Sequence, residues 1–188
     1  QFVAELKATI SEPRLERYRR PVNASDLEML INYFWNMALA DALHCSLSAA
    51  EVLLRNTIHS TLSAYIGQED WYERDELLEE RQREDRDDAK HNIETRGREI
   101  TPERVVSKLT FGFWVTLLSK TYNERFWRPD LSDPPNLRIA FPYSPAKHRR
   151  SDIQAKYYRA NNLRNLAFHH EPIFDLRSLE DDYRRTYE

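Results

Sequence analysis

From Leu27 to Leu43, apolar residues recur at intervals of three and four: Leu27, Leu30, Ile31, Phe34, Met37, Ala38, Ala42 and Leu43. That period lines one face of an α-helix and does not fit the two-residue alternation of a half-buried strand. The same spacing returns in Leu53, Leu54, Ile58 and Leu62, and again in Val105, Val106, Leu109, Phe113, Leu117 and Leu118. No β-alternation of useful length interrupts it, so the chain reads as an all-α bundle.

Local signals divide the helices. Residues 2–10 carry helical spacing, and Ser11-Glu12-Pro13 starts a short second helix through Arg19. Asn23-Ala24-Ser25 offers an N-cap to the helix beginning near Leu27. Ser46 or Ser48, the latter in a capping-box pattern with Glu51, is expected to start another helix that Gly67 ends. Thr101-Pro102-Glu103 opens one through Leu118. A basic helix is expected from Lys147 to His169 and a last one from Leu176 to Tyr187. Residues 68–100 form a charged connection, and 128–146, with five prolines, a loop. At 188 residues one domain is expected.

Composition removes several function classes. Three glycines leave no phosphate-cradling loop or dinucleotide fingerprint. The single cysteine, Cys45, excludes an internal disulfide or Cys-rich zinc site and is expected to fill core. No His-Glu-x-x-His occurs, so neither metal nor cofactor is expected. No apolar run approaches the ~18 residues of a membrane span, and charges at Glu5, Lys7 and Glu12 argue against a signal peptide. A soluble cytoplasmic protein is the expectation. Formal net charge is −3, but its distribution is polarised. Seven basic residues face Asp152 alone between Arg138 and His170, whereas twelve acids face five basic residues between Gln68 and Thr95. Lys147, Arg149, Arg150, Lys156 and Arg159 are candidate RNA contacts, though opposite solvated helix faces would give the same pattern. Most of the many aromatics read as core.

Chemistry concentrates in Leu163-Arg-Asn-Leu-Ala-Phe-His-His-Glu-Pro172. Asn165 and His169 lie one turn apart on one helix face, and Arg164 sits about 140° from His169. One helix therefore does not aim Arg164 and His169 at one point, but a seam between two copies could complete the cleft. A neutral histidine can take the proton of an RNA 2′-hydroxyl while a guanidinium offsets charge gained on the phosphoryl oxygens. His169 is the first candidate base and His170 a second base or acid, with Asn165 holding the histidine or the phosphate. The competing reading is a buried polar cluster that caps backbone groups beside Pro172. Glu51, Arg55 and His59 form a stripe at i,i+4 spacing, with Asn56 beside it. It is either an ordinary surface ion pair or a set of residues supporting the first site.

Five blocks, Ser11-Glu-Pro-Arg-Leu-Glu-Arg-Tyr18, Tyr33-Phe-Trp-Asn36, Leu47 through Glu51-Val-Leu-Leu-Arg-Asn56, Phe111-Gly-Phe-Trp114 and Leu163-Arg-Asn through Pro172, resemble the Abi-like (abortive infection) family of the HEPN superfamily. The last block fits that superfamily's Arg-x(4–6)-His signature, with Arg164 and either His169 or His170. The resemblance implies a HEPN-like up-and-down helical bundle with additional short helices, acting as a homodimeric, metal-independent endoribonuclease in phage defence or a toxin–antitoxin system. It implies a site formed from both subunits' motifs, products with a 2′,3′-cyclic phosphate and a 5′-hydroxyl, and a protein or RNA antitoxin as a further partner. Some relatives of this type are non-catalytic RNA-binding or dimerising modules, and that is the alternative function.

Overall fold

The structure is a computed structural model that describes residues 2–128, 136–145 and 148–176. Among them the chain is all-α, with eight α-helices, four short 3-10 turns and no strand. Helices α1 (Phe2–Ile10) and α2 (Glu12–Glu16) are followed by α3 (Asp26–Ile66). Its start is a reciprocal capping box: Glu28 Oε2 accepts from the Ser25 N–H at 2.7 Å, and the Glu28 N–H donates to Ser25 Oγ at 3.3 Å.

Helix α3 corrects the sequence reading, for it runs 41 residues without a break at Ser46–Ser48. No glycine or proline stands between Asp26 and Ile66, so the Ser48/Glu51 pattern has no chain reversal to cap. The helix ends where expected, at Gly67, whose φ of 76° suits a left-handed cap and whose N–H reaches the Ser63 carbonyl at 2.8 Å. Joining the two segments also reverses the expectation of no membrane-length apolar run. Among the described residues, α3 is long and apolar enough to cross a bilayer, and only 22% of its most apolar 18-residue window is buried.

The single helix expected over Val105–Leu118 is instead α5 (Pro102–Lys108) and α6 (Phe111–Leu117). Leu109 turns extended, and Thr110 Oγ1 caps α6 by accepting the Phe113 N–H at 3.3 Å. The acidic stretch contains α4 (Glu80–Glu94), and α7 (Asn123–Phe126) precedes the proline-rich region. There Arg138 holds the carbonyls of Phe141, Ser144 and Pro145. The basic helix is α8 (Arg150–Phe168). Lys147, residues 129–135 of the proline-rich loop and the final expected helix beyond Leu176 lie outside the described residues.

Two compact units divide the chain. The first comprises residues 1–49 and 159–188. Leu15, Tyr18, Met29 and Leu30 are buried there, with Val3, Leu6, Ile10, Tyr33 and Phe174 packed against them. The second comprises residues 50–158, and its core is aromatic. Trp71 meets Trp114 and Phe126 edge-on at 6.3 Å, and Tyr122 stacks on Phe126 at 5.5 Å. Arg86, 7% exposed, is held there by the Tyr72 carbonyl, Asp75 and Asp87.

Within the second unit, Trp71 Nε1 donates to His59 Nδ1 at 3.2 Å, which fixes the ring proton on Nε2. Burial pushes the His59 pKa below its ordinary 6.5, opposed by Glu69 and Glu103 and assisted by Arg55. The unfolded chain then binds the proton more readily, so stability is full above about pH 6.5 and declines as pH falls below it. Thermal unfolding should show a falling Tm between pH 7 and pH 5.5, and His59→Gln should flatten that slope. An unchanged slope in the variant would contradict the assignment.

Candidate functional site

Helix α8 ends in a Schellman motif that a glycine usually closes. The Glu171 N–H reaches the Leu166 carbonyl at 2.9 Å and the His170 N–H that of Ala167 at 3.3 Å. The left-handed residue is His170, with φ 55°. A side chain there costs about 1 kcal/mol against glycine. Pro172 follows at a position where no helix could continue.

The segment beyond the cap is anchored by Asn36 of α3, a side chain 1% exposed. Its Oδ1 accepts from the Ile173 and Phe174 N–H groups at 2.6 and 3.2 Å, and its Nδ2 donates to the Glu171 carbonyl at 3.2 Å. Tyr18 Oη donates to the His170 carbonyl at 2.5 Å, and Arg17 pairs with Glu171 at 2.6 Å. The backbone carrying both histidines is thus tied to α3 and to the turn after α2, through the buried side chains of Asn36 and Tyr18.

The two exposed imidazoles line different depressions. His169 shares one of about 470 Å³ with Asn162, Asn165, Leu166 and Glu171. His170 lies on another, of about 390 Å³, with Met37, Ala40, Asp41, His44, Ala167 and Phe168. The one-turn pairing of Asn165 with His169 is therefore present. Arg164 lines neither depression. Its guanidinium lies over the Phe168 ring at 4.9 Å, and its Nη1 donates to Asn165 Oδ1 at 3.3 Å. Phe168 in turn stacks on His44 at 4.9 Å with 27° between the planes. The cation thus touches one residue of each depression, Phe168 of the one that His170 lines and Asn165 of the one that His169 lines.

The other candidates distribute as follows. Glu51, Arg55 and Asn56 belong to the second unit, where Arg55 Nε donates to Asn56 Oδ1 at 3.3 Å. Arg149 is exposed, and Lys156 and Arg159 are half-buried. Arg150 donates to the Leu118 carbonyl at 2.6 Å and to Gln154 at 2.9 Å, so it ties α8 to the turn after α6. Cys45, expected in the core, is exposed. Trp35 (57%) and Phe34 (49%) are likewise exposed on α3, whereas Phe111, Phe113, Trp114 and Phe126 are core. No cluster of three or more His, Cys, Asp or Glu side chains placed to hold a metal occurs among the described residues.

Three side chains of this region escaped the sequence reading: Asn36, Asp41 and His44. Each had a visible signal, since each interrupts the apolar run of α3 with a polar group. Comparison of the chain with known families, with curated proteins and with solved structures finds no match.

Asn36→Ala would leave two buried N–H groups without an acceptor and should cost about 2–3 kcal/mol in chemical denaturation. A loss under 0.5 kcal/mol would show that the anchor is dispensable. His170→Gly should raise stability by about 1 kcal/mol, because glycine takes the left-handed cap without a Cβ penalty. A destabilised glycine variant would mean that the His170 side chain contributes packing that its exposure does not suggest.

Proposed function

We propose that the chain is a metal-independent endoribonuclease of the HEPN type, an Abi-like protein of bacterial defence that works as a homodimer in the cytoplasm. One observation carries the reading. A guanidinium and two solvent-open imidazoles stand on a single helix end whose backbone is bonded into place by Asn36, Tyr18 and its own cap. Restraining titratable groups that face water is a cost that a purely structural cap would not need, and it is what preorganised acid–base chemistry uses.

In this reading a motif histidine, His169 or His170, removes the proton from an RNA 2′-hydroxyl. The 2′-oxygen attacks the adjacent phosphorus, the 5′-oxygen leaves, and Arg164 offsets charge on the non-bridging oxygens. Asn165 holds Arg164, and Arg159 contributes positive charge on the same stretch of α8.

The homodimer has its own support in α3. Ile31, Trp35, Ala38, Ala42, Cys45 and Ala49 are all exposed and recur at alternating steps of four and three, the period of a helix–helix seam. Leu27, Ile31, Phe34, Trp35 and Met37 are 41–58% exposed, leaving on the order of 500 Å² of apolar surface against the ~800 Å² per partner of a standard interface. The stripe is bulky in its first half and small in its second. An antiparallel copy centred near Ala42 lays each bulky half over the partner's small half, which is the self-complementarity of a two-fold interface.

Two measurements follow from this reading. RNA incubated with the protein in EDTA should be cleaved, and Arg164→Ala should slow cleavage by about 10²–10³-fold without lowering Tm. Retention of RNA that salt abolishes, with no cleavage, would favour the non-catalytic module instead. In sedimentation experiments the chain should be a dimer that Ala42→Arg converts to a folded monomer. A wild-type monomer, or a chain that partitions into lipid vesicles through α3, would contradict the seam.

A further inference from the structure

His44 was assigned nothing by the motif, yet it occupies the depression that His170 faces. Cleavage by 2′-hydroxyl attack needs two proton transfers, one from the nucleophile and one to the leaving 5′-oxygen, and a single base accounts for the first only. The depression holds two exposed imidazoles from different elements, His44 of α3 and His170 of the α8 cap. They share it with the Asp41 carboxylate, one turn before His44 on α3. Stacking on Phe168 fixes the plane of the His44 ring, and the Arg164 guanidinium lies over that same Phe168. The two imidazoles thereby share one depression with Phe168, against which Arg164 also lies without itself lining the depression. The His169 depression offers no second imidazole, only Asn162, Asn165, Leu166 and Glu171.

We propose that His44 is a catalytic residue of the same reaction, the general acid that protonates the leaving 5′-oxygen, with His170 as the base. This rests on the endoribonuclease reading. Neutral His170 takes the 2′-hydroxyl proton, the 2′-oxygen forms a bond to phosphorus, and the phosphorus–5′-oxygen bond breaks. The departing oxygen receives the proton of the His44 imidazolium. The products are a 2′,3′-cyclic phosphate and a 5′-hydroxyl, and solvent returns each histidine to its starting form. Asp41 contributes a carboxylate to the lining of the same depression. The charged and titratable groups around His44 are then Asp41 from its own helix, His170 from the cap, and Arg164 across Phe168.

The test uses a chemically altered leaving group. His44→Phe keeps an aromatic ring to stack on Phe168 but cannot donate a proton, so a merely structural role would survive it. On ordinary RNA, His44→Phe should be slowed by about 10²–10⁴-fold. On RNA with sulfur in place of the bridging 5′-oxygen, a leaving group that needs no proton, the variant should come within about threefold of wild type. His170→Gln should be slow on both substrates. Equal deficits on the two substrates, or a variant as fast as wild type on ordinary RNA, would overturn the assignment to His44. A wild-type protein that cleaves neither substrate would overturn the endoribonuclease reading and the assignment with it.

Discussion

The geometry of this site depends on how the chain leaves α8. An α-helix ends with unpaired carbonyls, and here two of them are satisfied by the N–H groups of His170 and Glu171, which requires a left-handed residue at His170. The chain can then turn toward α3 only because the buried amide of Asn36 receives it, accepting two N–H groups and donating to one carbonyl. Cap and anchor act as one device. Without the anchor the segment beyond Pro172 would have unpaired buried amides. Without the left-handed turn, the Leu166 and Ala167 carbonyls would lose these partners.

The same helix end sets the motif side chains against different neighbours. Arg164 and His169 point about 140° apart on an ideal helix, and Arg164 does not line the His169 depression, though it donates to Asn165, which does. It lies over Phe168, whose ring also meets His44. The bulky Phe168 thereby serves as a platform that orders a cation and an imidazole in the first unit. The exposed stripe on α3 begins beside this region and includes Ala42 and Cys45, close in sequence to Asp41 and His44. A second copy seated on that stripe would reduce solvent access to the same wall, which strengthens electrostatic interactions there.

Much of the fold was legible because apolar period and cap chemistry agreed. Ser25 with Glu28, Gly67, and Thr101-Pro102 each mark a real boundary. Two boundaries were misread for opposite reasons. Ser48 and Glu51 form a capping pattern inside a helix that nothing breaks, and local hydrogen-bonding potential alone does not stop a helix. Between Leu109 and Phe113 the apolar period continues across a real break, so Thr110 was the sole sign of it. At the site, the motif residues were readable but their division was not. A histidine in the left-handed position has no sequence signature comparable to glycine, and the partners that order the region, Asn36, Asp41 and His44, lie more than 120 residues earlier in the chain.

The proposed chemistry is cleavage of RNA by its own 2′-hydroxyl at this helix end. Its most direct test is the chemistry of the product ends, read by mass spectrometry after digestion of a defined oligoribonucleotide in EDTA. A 2′,3′-cyclic phosphate and a 5′-hydroxyl should appear, and a single 2′-deoxynucleotide on the 5′ side of the scissile phosphate should abolish that cut. A 3′-hydroxyl with a 5′-phosphate, or cleavage that persists at the deoxy position, would contradict the account.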